Sequence, residues 1–248
     1  MISIKNVSKE YKSIGQGGTK ALDNVSLELP RGEIVGIFGE NGAGKTTLMK
    51  SILGLQSHKG EILLDGKAIN NENICTLAFA TCEHSFFAAI TAKAHREFYE
   101  SHFPKFRGKR FDGLMEFFEL PMNKRINSFS AGQKNQFEVI LALSQGADYI
   151  FMDEPFAGND VFNREDFYKV LLGILEENET VILSTHLLEE VEKFIGRAVL
   201  IHKGSVVGDC TTEELEMSGK SLMSYVKEVY RYQNDRVSRA LEQLTEEE

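Results

Sequence analysis

Residues 39–46, Gly-Glu-Asn-Gly-Ala-Gly-Lys-Thr, have the residue types and the G-x-x-x-x-G-K-T spacing that bind a phosphate group. Glycines let successive backbone N–H groups converge on one anion, and the helix that follows adds its free N–H groups and the positive end of its dipole. Lys45 would reach the outer phosphates, and the Thr46 hydroxyl would bind Mg²⁺. The alternative is a glycine-rich turn before a surface helix, which is disfavoured because every motif position and the strand–loop–helix setting match. The predicted nucleotide-binding positions are Gly39, Glu40, Asn41, Gly42, Ala43, Gly44, Lys45, Thr46 and Thr47.

Two adjacent carboxylates, Asp153 and Glu154, follow an apolar run at 149–152 that predicts a buried strand. Burying neighbouring carboxylates is unfavourable unless a cation or a chemical task holds them there. Asp153 is placed to bind Mg²⁺ directly or through water, and Glu154 to orient and deprotonate an attacking water. Taken alone, the segment would be interpreted as an exposed Asp-Glu-Pro turn that caps an ordinary strand. Together with the phosphate-binding loop, the catalytic interpretation is favoured.

A small-residue turn, Ser130, Ala131, Gly132 and Gln133, precedes another segment with helical spacing. The helix N-terminus and the serine hydroxyl together predict a second anion-binding turn. A serine that simply caps an ordinary helix is the alternative, and it would be preferred if the turn stood alone.

Strands that alternate with helices would position these groups. Alternating or apolar runs predict strands at 2–7, 25–29, 34–38, 60–67, 77–81, 149–152, 181–184 and 198–202, and a hairpin at 199–210. A Gly-rich segment at 13–19 predicts a surface loop, and helical spacing appears at 86–120 and 137–143. The expected class is α/β, a P-loop NTPase with a mostly parallel sheet flanked by helices, an antiparallel β subdomain and an α-helical insertion subdomain at about 85–145.

Composition narrows the class of protein. The 248 residues carry a net charge of −9, and no Lys/Arg-rich run is present, which argues against a general nucleic-acid binder. Three cysteines without a C-x-x-C pair favour a reduced cytosolic compartment over a disulfide scaffold. Neither a signal peptide nor a membrane-spanning run is recognisable, so we expect a soluble protein that reaches a membrane only through a partner.

The ordered motifs resemble the ATP-binding subunit of an ABC transporter, from residue 2 to about residue 210. The phosphate-binding loop is followed by a signature-like Phe-Ser-Ala-Gly-Gln at 129–133, by Asp-Glu-Pro at 153–155, by a D-loop-like segment at 157–160 and by Ser-Thr-His at 184–186. The resemblance implies a head-to-tail dimer in which each ATP lies between Lys45 of one subunit and the signature turn of the other. It also implies an ATPase domain at 1–210 and a C-terminal helical extension with an acidic tail at 211–248.

The resemblance assigns three further residues. Tyr11 matches the aromatic that stacks on adenine, and the alternative is a half-buried tyrosine at a strand end. His186 matches the switch histidine that contacts the γ-phosphate, and the alternative is a structural histidine. Asp160 matches the D-loop residue that links the two ATP sites. ATP and Mg²⁺ are the implied cofactors.

The sequence departs from the family pattern at the Q-loop. Cys82 stands where Gln or Glu normally meets Mg²⁺ and water, and Glu83 is one residue further on. A neutral thiol is a poor Mg²⁺ ligand. Two alternatives are open: Glu83 substitutes after a small shift of the loop, or the site holds its metal more weakly. The signature also has Phe129 and Ala131 where Leu and Gly are usual.

Within the family, the chain most resembles the short ATPases of bacterial ABC-2-type exporters. That resemblance implies a second copy or a paralogous ATPase subunit, an integral membrane permease docked on the helices at 86–120, and a location at the inner face of the cell membrane. It implies no nucleic-acid partner, and it suggests a peptide, toxin or drug as cargo. The aromatics that would line the docking groove, or equally form a helical core, are Phe98, Tyr99, Phe103 and Phe106.

Two competing functions remain at this stage. A soluble ABC ATPase without a membrane partner is disfavoured by the single phosphate-binding loop and the acidic charge. An ATP-binding switch with weak hydrolysis is disfavoured by Glu154 and His186 but kept open by Cys82. The helical spacing after residue 210 predicts a helix that packs on its own domain rather than one that dimerises or docks; it is carried by Leu222, Val226, Val229, Tyr230, Val237, Leu241 and Leu244.

Overall fold

The computed structural model describes the backbone of residues 1–13, 16–155 and 161–230, and their side chains except at 13, 16, 17 and 161–164. These residues form ten strands: β1 (Ile2–Ser13), β2 (Gln16–Leu29), β3 (Ile34–Phe38), β4 (Lys59–Leu64), β5 (Lys67–Ala68), β6 (Leu77–Thr81), β7 (Tyr149–Asp153), β8 (Thr180–Ser184), β9 (Arg197–His202) and β10 (Ser205–Thr211). They also form eight α-helices: α1 (Lys45–Ile52), α2 (Ala92–His102), α3 (Gly108–Phe117), α4 (Ala131–Ser144), α5 (Val161–Ile174), α6 (Leu188–Val191), α7 (Thr212–Met217) and α8 (Leu222–Val229).

Six strands make the central sheet, in the order β10-β9-β3-β8-β7-β6. All neighbours are parallel except β10, which pairs antiparallel with β9. The strands β3, β7 and β8 are buried at every position, as expected for a parallel sheet covered on both faces. Their carboxyl ends lie at one edge, where ligands bind in open α/β sheets. The expected α/β class with a mostly parallel sheet is confirmed.

A second sheet, β2-β1-β4-β5, is antiparallel throughout. The predicted surface loop at 13–19 is wrong: β1 runs to Ser13, β2 starts at Gln16, and Tyr11 pairs with Thr19. Backbone pairing with a neighbouring strand outweighs the low strand propensity of the glycines here, because β propensity depends strongly on context.

Two hairpin turns follow the sequence prediction. Asp65 and Gly66 join β4 to β5 with φ angles of 50° and 75°, and Lys203 and Gly204 join β9 to β10 with φ angles of 47° and 81°. Two successive positive φ angles are typical of type I′ turns, whose twist matches that of the flanking strands.

Helices α2, α3 and α4 lie between β6 and β7 in the chain. The rings of Phe111 and Phe137 are fully buried there and meet edge to face at 6.2 Å. Tyr99 and Phe106 pack against this core, with their own ring centroids 5.9 Å apart. For these two aromatics, the helical-core interpretation therefore describes the contacts.

A buried ion cluster fastens α3 to the start of β8. Glu179 has no exposed side-chain surface, and Arg110 donates to both of its carboxylate oxygens over 2.9 and 3.0 Å. Arg110 also donates to the carbonyl oxygens of Leu143 and Ile174. The carboxylate further accepts from the backbone N–H of Glu176 over 2.9 Å, so both charges are surrounded by polar contacts.

Helix α8 packs on its own domain, as its spacing predicts. Leu222 and Val226 are buried in the main core, and the Tyr230 hydroxyl donates to the carbonyl oxygens of Ile201 and Phe38 over 3.1 and 3.4 Å. Val237, Leu241 and Leu244 lie outside the described residues. Among the helices of the described ranges, none combines the length and the apolar character that a membrane span needs.

Candidate nucleotide site

The predicted phosphate-binding loop connects the end of β3 to the start of α1. Gly44, at the N-cap of α1, has a φ of 113°, and a Cβ atom there would lie 2.5 Å from the carbonyl oxygen of Ala21. This position therefore needs glycine for its conformation and for its space. The Lys45 ammonium is buried and donates to the carbonyl oxygens of Gly39 and Glu40 over 2.7 and 3.2 Å.

A cavity of about 170 Å³ lies against this loop. Its lining consists of Asn41, Gly42, Ala43, Gly44, Lys45, Thr46, Thr47, Asp153 and Glu154. The cavity brings together the glycine loop, its cation and both adjacent carboxylates, which are far apart in sequence. Backbone N–H groups, a lysine and carboxylates in one cavity suit a phosphate chain with a divalent cation.

Asp153 is held from two sides at the end of β7. Its Oδ2 accepts from the Thr46 hydroxyl over 2.6 Å, and its Oδ1 accepts from the Ser184 hydroxyl over 2.5 Å. The carboxylate is 5% exposed. Thr46 and Asp153 thus present adjacent oxygen atoms to the cavity, and oxygen is the ligand type that Mg²⁺ prefers, so this donor set fits the ion.

Glu154 has a strained backbone, with a φ of 48° that a non-glycine residue rarely adopts. Its N–H donates to both the carbonyl and the hydroxyl oxygen of Ser184 over 3.1 Å, and these bonds hold the turn. The carboxylate accepts from His186 Nδ1 over 3.0 Å. The predicted general base and the predicted switch histidine are therefore in direct contact.

The Q-loop residues point in different directions. Glu83 is exposed, and both of its carboxylate oxygens accept from Lys50 Nζ over 2.8 Å. Cys82 instead lines a small cavity together with Glu154 and Glu138. Burial raises the pKa of the Cys82 thiol, and the nearby charges of Asp153, Glu83 and Glu154 raise it further. The group that shares this cavity with Glu154 is thus a neutral thiol.

The signature-like turn caps helix α4. Ser130 Oγ accepts from Gln133 N over 3.2 Å, and Gln133 Oε1 accepts from Ser130 N over 3.0 Å, which is a capping box. Among the described residues, none of Ser130, Ala131, Gly132 and Gln133 lines the cavity at the phosphate-binding loop. A single chain thus holds the two halves of the predicted site apart.

Tyr11 lies at the surface with 46% of the residue exposed. Its hydroxyl donates to Gln56 Oε1 over 2.6 Å, and Gln56 Nε2 donates to the carbonyl oxygen of Thr47 over 2.6 Å. Lys9 Nζ lies 5.1 Å from the ring centroid. Gln56, which the sequence reasoning missed, connects the predicted adenine-stacking residue to the phosphate-binding helix.

Three more residues concern the predicted site. Asp160 lies outside the described residues. Ser184, which orients Asp153 and Glu154, was not singled out as a site residue because a serine at the end of an apolar strand gives no signal of its own. Glu138 was also missed, although a carboxylate within an apolar helical run was a usable signal.

Comparison with known proteins identifies the family. The ABC transporter family model matches residues 22–157, which is more than half of the chain. The chain belongs to the ABC transporter family. The ABC transporter ATP-binding protein NatA of Bacillus subtilis is 31% identical over 238 residues, covering 89% of this chain and 94% of NatA. The lipopolysaccharide export system ATP-binding protein LptB of Haemophilus influenzae is 28% identical, covering 87% of this chain and 92% of LptB.

A solved structure agrees with this assignment. The dimeric structure of the ATP-binding cassette MJ0796, in a post-hydrolysis state bound to ADP and Pi, has a TM-score of 0.74 and 25% identity, covering 86% of this chain and 99% of that one. This ABC cassette is accordingly an ATP-binding, ATP-hydrolysing subunit of a transporter.

Proposed function

We propose that two copies of this cassette, or one copy and a paralogous subunit, close on ATP and drive export through a separate membrane permease. The observation that carries the proposal is the separation of the half-sites. Lys45, Asp153 and Glu154 line the cavity at the phosphate-binding loop, whereas the turn at 130–133, exposed at Ser130 and Ala131, lies outside it. A second copy placed head to tail would add its turn across the bound ATP. The dimeric state of the MJ0796 cassette supports this arrangement.

The chain's own residues supply the chemistry of hydrolysis in this proposal. Backbone N–H groups of the loop and Lys45 hold the phosphates, and Glu154 accepts a proton from the attacking water while His186 orients its carboxylate. Mg²⁺, when bound by Thr46 and Asp153, would neutralise charge on the phosphates. Ser184 holds both acidic residues in register through its hydroxyl and carbonyl.

Cys82 leads to a prediction about the metal. The Cys82→Gln variant places an amide oxygen beside Glu154, so we expect the Mg²⁺ concentration for half-maximal ATPase activity to fall roughly three- to tenfold, because an oxygen ligand replaces a thiol. The measurement is steady-state ATPase activity across a Mg²⁺ titration. Cys75→Gln, at another exposed cysteine, is the matched control and should leave the titration unchanged. An unchanged midpoint in the Cys82→Gln variant would mean that this position does not face the metal.

The membrane partner is proposed to contact the loop between β6 and α2. Phe87 in this loop is 55% exposed, although its ring packs edge to face on Phe98 at 5.5 Å. An exposed aromatic of this kind is typical of a protein interface. Location at the inner face of the cell membrane follows from such a partner, and the name of the LptB relative supports export as the direction. The cargo is proposed to be a peptide, toxin or drug.

A photo-crosslinking amino acid at position 87 tests this partner in intact cells. We expect an adduct with an integral membrane protein, identified by mass spectrometry. The same probe at Val207, which is 42% exposed on β10 and lies outside the helices at 86–120, serves as the control and should not give that adduct. Reconstitution with the partner in liposomes, with ATP outside, should move cargo into the lumen for an exporter and out of it for an importer. Absence of any membrane adduct at position 87 would favour an ATPase without a permease.

A further inference from the structure

Glu138 is a buried carboxylate in a position where packing alone would favour an apolar side chain. It is 2% exposed and lies on α4 between Phe137 and Val139, which are both buried. Burial raises its pKa to about 7, although hydrogen bonds from Ser85 act in the opposite direction. A buried ionisable group is unfavourable unless hydrogen bonds or a task compensate for its desolvation.

The contacts of Glu138 define that task. Its two carboxylate oxygens accept from Ser85 N over 3.0 and 3.1 Å, and Oε1 also accepts from the Ser85 hydroxyl over 2.6 Å. Ser85 lies three residues after Cys82, so Glu138 holds the Q-loop against helix α4.

The two residues after Ser85 are fixed as well. The Phe86 ring meets Phe137 edge to face at 5.7 Å. Phe87 N donates to His95 Nε2 over 3.0 Å, and His95 Nδ1 donates to the carbonyl oxygen of Thr91 over 2.9 Å. The segment 85–87 is therefore attached to α4 on one side and to α2 on the other.

The position of Glu138 connects two parts of the ATP site. It lies eight residues after Ser130, which is about 12 Å along the helix at 1.5 Å per residue. At its own level, Glu138 lines the same small cavity as Cys82 and the catalytic Glu154. A shift of α4 would thus be transmitted through Ser85 to the loop beside Glu154.

We propose that Glu138 is a positioning residue for ATP hydrolysis, which joins the Q-loop at 82–87 to helix α4 so that this loop and the signature turn move as one body. The inference rests on the proposed placement of both segments at the ATP site. It adds a residue that acts through the loop and touches no substrate.

The test uses the full chain with Glu138→Gln, Glu138→Ala and, as a matched control, Glu97→Gln, an exposed carboxylate on α2. In the Glu138→Gln variant, we expect kcat for ATP to fall roughly tenfold or more, because the amide has only one acceptor oxygen where the carboxylate uses two to hold Ser85, while KM stays within about twofold. Hydrogen–deuterium exchange at the Ser85 amide should rise, and exchange in β3 and α1 should not. Glu138→Gln keeps the shape of the side chain, so it remains informative if Glu138→Ala does not fold.

A double-mutant cycle with Ser85→Ala provides the second readout. Because both changes act on one contact, their effects on kcat should be non-additive. Unchanged hydrogen–deuterium exchange at the Ser85 amide would overturn the proposed role of Glu138 in holding the Q-loop. Raised exchange with wild-type kcat would overturn the link between this contact and hydrolysis. Neither result would affect the assignment of Glu154, which is tested separately. A higher KM together with a lower thermal stability, with kcat retained, would show that Glu138 has only a structural role. That result would overturn the proposal.

Discussion

The Glu154→Gln variant should lose steady-state ATP hydrolysis by about 10²- to 10⁴-fold, the range that a positioned general base contributes. The amide keeps the size of the side chain and its contact with His186, but it cannot accept the proton of the attacking water. ATP binding should persist, because the loop and Lys45 are untouched. The measurement is phosphate release at saturating ATP and Mg²⁺.

The same variant should remain dimeric in ATP. In the proposed dimer, blocked hydrolysis removes the step that separates the two copies, so light scattering should give twice the monomer mass with ATP and the monomer mass with ADP. Glu189→Gln, an exposed carboxylate three residues after His186, is the matched control and should hydrolyse ATP like the wild type. If the Glu154→Gln variant shows the mass of the wild type in ATP, Glu154 is not the general base.

The Glu179→Ala variant should lose about 3–5 kcal/mol of unfolding free energy, because it leaves the buried Arg110 guanidinium without its counter-charge. Arg107 Nη2, 3.4 Å from the Glu179 carboxylate, would lose this partner but keep its ion pair with Glu176. With no tryptophan in the chain, urea unfolding is best followed by circular dichroism. The urea concentration at the unfolding midpoint should fall, while the slope of the unfolding free energy against urea concentration stays the same.

A nearby exposed glutamate provides the control that separates the effect of breaking a buried ion pair from the effect of removing a charge. Glu177→Ala removes a carboxylate two residues before Glu179 that lies in solvent, so its effect should stay within about 0.5 kcal/mol. Equal midpoints for the two variants would contradict the assignment of the buried pair. A Glu179→Gln variant keeps the shape of the side chain but not its charge. Its unfolding midpoint should lie between those of Glu177→Ala and Glu179→Ala.

Where the sequence predicted the fold well, local pattern and tertiary setting agree. The apolar run at 34–38 is a fully buried parallel strand, and Asp65-Gly66 and Lys203-Gly204 form turns because glycine adopts a positive φ without strain. The Gly-rich stretch at 16–19 was misassigned because its strand conformation comes from pairing with β1, which is a non-local contact.

The same distinction applies to the residues of the candidate site. Motifs identified the groups that touch the phosphate cavity, since their chemistry constrains both residue type and spacing. The supporting residues were not predicted: Ser184, Gln56 and Glu138 each make a hydrogen bond to a residue distant in sequence, namely Asp153, Tyr11 and Ser85. A spacing rule carries no information on such pairs, because the fold alone brings them together.

The hydrogen bonds of Lys45 have a practical consequence. This ammonium group ties together the carbonyl oxygens of its own loop, so it acts as an internal brace that preorganises the anion cradle. Removing it by Lys45→Ala would therefore combine two lesions, the loss of a cation and the collapse of the cradle. A weak affinity for ATP in that variant would measure the shape of the loop as much as its charge. A ligand that keeps the inner phosphate but lacks the outer ones, such as AMP, would separate the two contributions.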